Sequence, residues 1–315
     1  MKKNLFIYCL ALFIPLIGLS SCKEETPAPT VSFTFEVDGS DVTFTSVTTD
    51  TDSYLWEFGD NSTSTEANPV HSYAVSGTYA VTLTVTGGGG DASASDDVEI
   101  LPGFDEMLTG GPTAPNGKTW VLSTSYTEGI DGGSAVEPSM TILLAGAENL
   151  LTIIGFPEEY NDEFTFKSDG TFTVDNKNGA SMANLMWSLF GGVAGDVVQT
   201  PAANDIGLCT KAWASPISST WTLHEDDLVI TAAPYGGADV PALTYDVTFS
   251  GKQWIDISGD AYFGILDTPA IRKYIIKSIT PDQMRLAVFI CAYWADEVGA
   301  MNYPTLMFHL TLVPK

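Results

Sequence analysis

The segment Tyr54-Leu55-Trp56-Glu57-Phe58-Gly59-Asp60, followed by Gly77-Thr78-Tyr79-Ala80-Val81-Thr82-Leu83-Thr84-Val85, decides the fold class. Large apolar residues fall at every second position: Tyr54, Trp56 and Phe58 in the first run, Tyr79, Val81, Leu83 and Val85 in the second. A period of two marks strands with one buried face, and Gly59-Asp60 is turn chemistry. Upstream, Val31, Phe33, Phe35 and Val37 alternate, as do Val42 and Phe44, with Asp38-Gly39 between them as a hairpin turn. Trp56 and Phe58 are therefore expected to fill the core of a small antiparallel sandwich.

Asn68-Pro69-Val70-His71-Ser72-Tyr73 lies between the two runs. Taken together, residues 31–101 resemble the PKD domain, an immunoglobulin-like β-sandwich. Trp-Glu-Phe-Gly-Asp stands where that family has Trp-Asp-Phe-Gly-Asp, and the His-x-Tyr and Gly-x-Tyr-x-Val-x-Leu-x-Val segments follow at the family's spacing. The resemblance implies a spacer or contact module. His71 reads as a packing or hydrogen-bonding residue, since no nucleophile or metal set accompanies it. The Gly87–Gly90 run reads as a hairpin tip; a phosphate cradle would need a Lys-Ser/Thr and a following helix.

Toward the N-terminus, Lys2 and Lys3 precede an apolar run from Leu5 to Leu19, too short to span a bilayer and suited to a signal peptide. Its end, Leu19-Ser20-Ser21-Cys22, resembles the bacterial lipobox. Residues 1–21 are then a leader, Cys22 the lipidation site, and residues 22–30, with Pro27 and Pro29, a tether. Lys23-Glu24-Glu25 resembles the signal that sends Bacteroidetes lipoproteins to the outer face of the outer membrane. Attachment to the membrane is expected through the lipid anchor only.

Residues 102–116 read as a linker, rich in Gly and Pro, and 117–315 as a second all-β unit. Glu163-Phe164-Thr165-Phe166 and Thr171-Phe172-Thr173-Val174 flank Lys167-Ser168-Asp169-Gly170, a hairpin signal. Further strands are expected at Lys118 to Leu122, Ser219 to Leu223, Asp227 to Thr231, Tyr245 to Phe249, Trp254 to Ile257, Lys273 to Ile279, Met284 to Tyr293 and Thr305 to Val313. No long helix is expected. The fold class is all-β, with a jelly-roll or sandwich as the first architecture for this unit and a lipocalin-like β-barrel as the alternative. Gly-Lys-Thr-Trp, Phe-x-Ser-Asp-Gly-Thr-Phe, Trp-Thr-Leu and the Lys273–Leu286 segment are similar to the C-terminal modules of Bacteroidetes surface lipoproteins encoded with SusC/SusD-like glycan importers. They are similar, more loosely, to the lipocalin-like domains of the same bacteria.

The 39 acidic against 13 basic side chains give a net charge of −26, which excludes the electrostatic footprint of a nucleic-acid binder. Asp162 with Glu163, Glu225 to Asp227, and Asp296 with Glu297 lack the Glu-x-Asp-x-x-Glu spacing of jelly-roll glucanases, and no Gly-x-Ser-x-Gly or His-Glu-x-x-His occurs. The chain is therefore read as a binder and not an enzyme, with a glycoside hydrolase as the rival. Glycan binding needs flat rings beside polar groups. Trp187, Trp213, Trp254, Trp294 and Tyr160 are the candidate platforms for a polysaccharide or oligosaccharide, with a β-glucan such as laminarin first in line. A lipocalin-like carrier of a small apolar ligand and a non-binding adhesion protein are the other readings. No cofactor is expected. The acidic loops could hold structural calcium, although no Asp-x-Asp-x-Asp-Gly spacing is present. Cys209 and Cys291 are either a disulfide or two buried thiols.

Overall fold

The computed structural model describes residues 25–177, 179–184, 197–199, 208–213, 215–233, 244–265, 271–291 and 303–315. Two compact units divide it near residue 100: one runs through Tyr73 with Thr78–Glu99, the other is Ala74–Gly77 with Ile100–Lys315.

The first unit is a two-sheet sandwich. Strands β1 (Thr30–Asp38), β2 (Asp41–Thr49) and β5 (Val70–Ser72) form one sheet. Strands β4 (Thr63–Ser64), β3 (Ser53–Glu57), β6 (Gly77–Gly87) and β7 (Gly90–Ile100) form the other. Val42, Phe44, Trp56, Phe58, Val81, Leu83 and Val85 are buried between them, as the alternation requires. Trp56 packs against Phe33 and Phe44 with ring centroids 5.1 and 5.2 Å away, and its Nε1 donates to Glu66 O at 2.9 Å. Gly59 sits at φ +84°, where a Cβ would lie 2.9 Å from Ala80 O, so only glycine fits that turn.

The second unit is a closed barrel. Strands β8 (Lys118–Leu122), β11 (Glu163–Phe166), β12 (Thr171–Asp175), β16 (Ile217–His224), β19 (Gln253–Ile257), β20 (Lys273–Thr280), β21 (Gln283–Ile290) and β22 (Leu306–Pro314) pair in chain order, all antiparallel. The ring shuts because β22 also pairs with β8, Leu312 opposite Leu122 and Pro314 opposite Trp120. The free half of the same β22 edge takes β9 (Gly132–Ala135), and β10 (Ile142–Ala145) adds outside β9. The all-β class expected for residues 117–315 is borne out, and of its two architectures this register gives the closed barrel.

Alternate residues of every wall strand point inward. Trp120, Leu122, Phe164, Phe166, Phe172, Val174, Ile255, Ile257, Tyr274, Leu286 and Leu312 belong to one buried cluster. A second cluster lies on the outer wall. There the hairpin of β17 (Leu228–Ala232) and β18 (Tyr245–Phe249) packs Leu228, Ile230, Val247 and Phe249 onto Trp254, Ile275, Ala287, Phe289 and Met307. β16 therefore pairs with β19, and β17 leaves the barrel.

The two ends of the barrel differ. One carries tight turns at 167–170 and 281–282 and is closed by helix α1 (Phe104–Thr109). Leu108 of α1 is buried in the inner cluster, Trp120 Nε1 donates to Leu108 O at 2.9 Å, and Lys118 Nζ donates to Met107 O and Pro281 O. Residues 102–116, read as a linker, thus contain a helix that belongs to the second unit. The long connections 123–162, 176–216, 258–272 and 291–305 leave from the opposite end, the mouth, whereas 225–252, which carries the β17–β18 hairpin onto the outer wall, leaves from the end with the tight turns.

Candidate functional site

Three of those connections bring small elements to the mouth: helix α2 (Leu150–Ile153), a 3-10 turn (Pro157–Asn161), and a three-stranded sheet of β13 (Ala180–Asn184), β15 (Leu208–Ala212) and β14 (Val197–Gln199), together with the segment 261–265. Ala261, Tyr262 and Phe263 are fully buried, and the Phe263 ring lies 5.2 Å from Phe164 and 5.1 Å from Phe166, so this segment enters the barrel and fills its middle. Above it remains a cavity of about 190 Å³. Its wall is mostly aliphatic, with Leu122, Leu144, Leu151, Ile154, Met182, Leu208, Ile265, Phe308 and Leu310, and Tyr126, Tyr160, Asp131 and Thr311 supply polar atoms. Leu143, Leu144 and Ile153 are exposed on the elements around it.

Polar groups fix this wall. Asp131, 8% exposed, accepts from Thr127 N at 2.7 Å and Thr311 Oγ1 at 2.5 Å. Tyr160 is half-buried and its hydroxyl accepts from Leu151 N at 3.1 Å, which ties the 3-10 turn to α2; burial, with Glu148 nearby, raises its pKa. Tyr160 thus lines the cavity as a structural tie instead of an open platform.

Behind the wall lies a carboxyl pair. Glu159 and Asp162 are each 1% exposed. Glu159 accepts from Met182 N at 2.6 Å, and Asp162 accepts from Tyr262 OH at 3.2 Å. Tyr262 also bonds Ser181 Oγ, which accepts from Asn176 Nδ2 at 2.9 Å. Burial, then the charge of Glu159, pushes Asp162 well above the carboxylate range, which favours its protonated form. Burial likewise raises the Tyr262 hydroxyl. A raised folded value gives stability that is complete below the ordinary Asp value of 3.8 and is lost as pH rises above it. Asp162→Asn mimics the protonated acid and is expected to stabilise the barrel by about 1–3 kcal/mol at pH 8 and by little at pH 4. Urea melts at the two pH values check this; an equal effect at both would contradict the protonated state.

The tryptophans are placed as follows. Trp254, expected to face ligand, is 6% exposed: it does point away from Ile255 and Ile257, but the β17–β18 hairpin covers that outer face. Its Nε1 donates to Asp226 O at 3.1 Å and its ring stacks on His224 at 3.8 Å. Trp213 is half-buried against the inner cluster, with Lys211 Nζ 5.9 Å from its ring. Trp187, Trp294 and Cys22 lie outside the described residues. Cys209, on β15 opposite Ala183, and Cys291, just after β21, are buried thiols that share no disulfide, the second of the two alternatives.

Asp60, Ser62 and His71 of the first unit look like a catalytic set and are not one. His71 Nε2 meets both Asp60 Oδ2 at 2.7 Å and Ser62 Oγ at 3.1 Å, so no second ring nitrogen relays a proton between them. The ring stacks on Phe58 at 4.2 Å and pins the turn. Among the described residues, no group of three or more His, Cys, Asp or Glu could hold a metal ion. No helix of the described residues is long and apolar enough to cross a membrane.

Residues 25–101 match the PKD domain family. The pre-pro-metalloprotease PrtV of Vibrio cholerae is 43% identical over 81 residues, 24% of this chain and 9% of that protein. Collagenase ColA of Bacillus cereus is 70% identical over 33 residues, 10% of this chain and 3% of its own length. This chain therefore spans less than a tenth of these relatives. Among solved structures, the PKD1 domain of the Vibrio cholerae metalloprotease PrtV shares 38% identity over 24% of this chain and 98% of that one, with a TM-score of 0.23. A carbohydrate-binding module of the β-sandwich superfamily aligns over 92% of this chain and 93% of its own at 13% identity, with a TM-score of 0.24, a likeness that carries no argument about the barrel.

Proposed function

We propose that this protein, a PKD domain followed by a closed antiparallel barrel, binds a small apolar or amphipathic molecule in the barrel mouth and performs no catalytic step. The carrying observation is the aliphatic cavity of about 190 Å³ at the end of the barrel where most of the long connections leave. Closed antiparallel barrels hold ligands at their mouths. An apolar cavity of roughly 150 Å³ accommodates a benzene-sized group, so the space suits the tail of a small molecule. Exposed Leu143, Leu144 and Ile153 give that tail an apolar approach.

The proposal extends to location. A signal peptide ending at Ser21, acylation of Cys22 and the Pro-containing tether would hold the PKD domain, and the barrel after it, at the outer face of the outer membrane. There the barrel would pass its cargo to an importer of the SusC/SusD-like kind.

The experiment is displacement of the neutral fluorophore N-phenyl-naphthylamine by a long-chain alcohol from the full chain. Ala147, half-buried on the cavity wall, offers a blocking site. Ala147→Trp is expected to weaken probe binding about tenfold or more, since the indole takes the tail's place. Unchanged binding in that variant, or no saturable binding in the parent, would reject the cavity as the site.

Polysaccharide capture is the second reading, because a PKD domain before another all-β domain fits a carbohydrate-binding role. It depends on Trp187 and Trp294, since the described tryptophans form no open platform. Affinity electrophoresis against laminarin, xylan and mannan, followed by an assay for released sugar, separates glycan binding from hydrolysis and both from the carrier.

A further inference from the structure

We propose that the molecule taken by the barrel carries a carboxylate, gripped side-on by Arg272; this rests on the reading of the mouth as a binding site and names the head group of its ligand. Arg272 immediately precedes β20 at the mouth. Its carbonyl accepts from Ile257 N at 2.9 Å, which extends the ladder in which Ile255 faces Tyr274 and Asp256 faces Lys273. Ile255, Ile257 and Tyr274 belong to the inner cluster, and alternation along the strand sends Arg272 inward with them. Lys273, one residue on, confirms the phase: its Nζ lies 5.1 Å from the ring of Trp254 on the outer wall.

Arg272 is 6% exposed, and both its Nε and its Nη2 are buried without a hydrogen-bond acceptor. No ion pair among the described residues uses it, in a chain with 39 acidic side chains. Buried charges are ordinarily paired, because an unpaired one forfeits its hydration. The two orphaned donors are not scattered. Nε–H and the neighbouring Nη2–H form one edge of the planar guanidinium, the edge that meets both oxygens of a carboxylate in a fork. A cavity lined by aliphatic side chains opens at the same end of the barrel and suits the rest of such a ligand. An empty fork and an apolar cavity at one end of the same barrel together make the complement of an amphipathic acid.

The test compares decanoate with its uncharged methyl ester and with decyl phosphate as displacers of the neutral probe, on the full chain and on Arg272→Met and Arg272→Lys. The parent is expected to prefer decanoate to the ester by about tenfold or more, the usual scale of a charge-assisted pair. Arg272→Met should erase that preference while leaving ester binding intact, and Arg272→Lys should keep only part of it, because an ammonium cannot make the fork. Without ligand, Arg272→Met should melt no lower than the parent, since an unpaired buried charge has been removed. Equal affinity for acid and ester, or a preference that survives Arg272→Met, overturns the proposal and leaves the cavity reading standing. Stronger binding of decyl phosphate than of decanoate overturns the choice of carboxylate. Binding of none of the three removes the cavity reading and this inference together. A large loss of melting temperature in both variants assigns Arg272 a structural role and also overturns it.

Discussion

Replacing Trp120 with alanine is expected to destabilise the barrel by about 3–5 kcal/mol, the cost of emptying a fully buried aromatic position. Trp120 is 0% exposed and sits on β8, the strand that both starts and closes the barrel. Its ring packs in the inner cluster, and its Nε1 holds Leu108 O, so its loss also frees the helix that stoppers the tight end. Urea unfolding of the full chain, followed by near-ultraviolet circular dichroism, measures the effect. Trp120→Phe should recover most of the apolar contact and fail to recover the bond to α1. A loss below about 1 kcal/mol in the alanine variant would mean that the barrel end is not packed as described.

The second large effect is acid sensitivity carried by His309. This residue, 2% exposed, faces Lys277 and Ser134: Lys277 Nζ donates to Nδ1 at 2.9 Å, and Nε2 donates to Ser134 Oγ at 2.8 Å. Both ring nitrogens are engaged by the neutral imidazole, so a second proton would have to displace an ammonium. Burial, then the charge of Lys277, lowers its pKa to about 3. Burial lowers Lys277 itself, the charge of Asp131 raises it in part, and that of Arg285 lowers it further. Between the ordinary value of 6.5 and the folded one, the unfolded chain binds the extra proton. Stability is therefore complete above pH 6.5 and falls with pH below it, by at most about 1.4 kcal/mol per pH unit from this group. His309→Gln keeps an acceptor for Lys277 and a donor for Ser134 while removing the titration. The difference in unfolding free energy between parent and variant should accordingly shrink or change sign on going from pH 7 to pH 4. A difference independent of pH would show that His309 does not titrate across this window.

The first unit was legible because its evidence is local. Trp56, Phe58, Val81, Leu83 and Val85 alternate in uninterrupted runs, and a single glycine requirement at Gly59 fixes the turn between strands. In the second unit the strands could be read and their closure could not. The pairing of Leu122 with Leu312 joins residues with nothing local in common. Trp254 shows how a correct phase leads to the wrong surroundings. Its separation from Ile255 and Ile257 holds, but whether the outer face meets water depends on a hairpin contributed from elsewhere in the chain. That same cover explains β21, whose Leu286, Ala287, Val288, Phe289 and Ile290 are all buried, a continuous apolar run where a one-sided strand would alternate. Helix α1 was hidden by its flanking Gly and Pro residues, although Phe104 and Leu108, four residues apart, carry a helical spacing. The cavity wall left one trace, the clustered leucines Leu144, Leu150 and Leu151 between β8 and β11. Nothing in the sequence sets Arg272 apart from any other arginine, because its distinction is an unmet demand that only packing reveals.

The seam between β8 and β22 also governs when this architecture can come into being. A chain emerging from its N-terminal side can lay down β8, β11 and β12 early, yet each such intermediate is an open ribbon with two unpaired borders, the state most prone to join a neighbouring chain. Only the arrival of β22, which pairs with β21 on one side and β8 on the other, removes both borders of that ribbon in a single event. Completion is thus all-or-nothing and slow by the nature of its long-range contacts. Until the last strand is in place, the barrel depends on whatever shields its open edges.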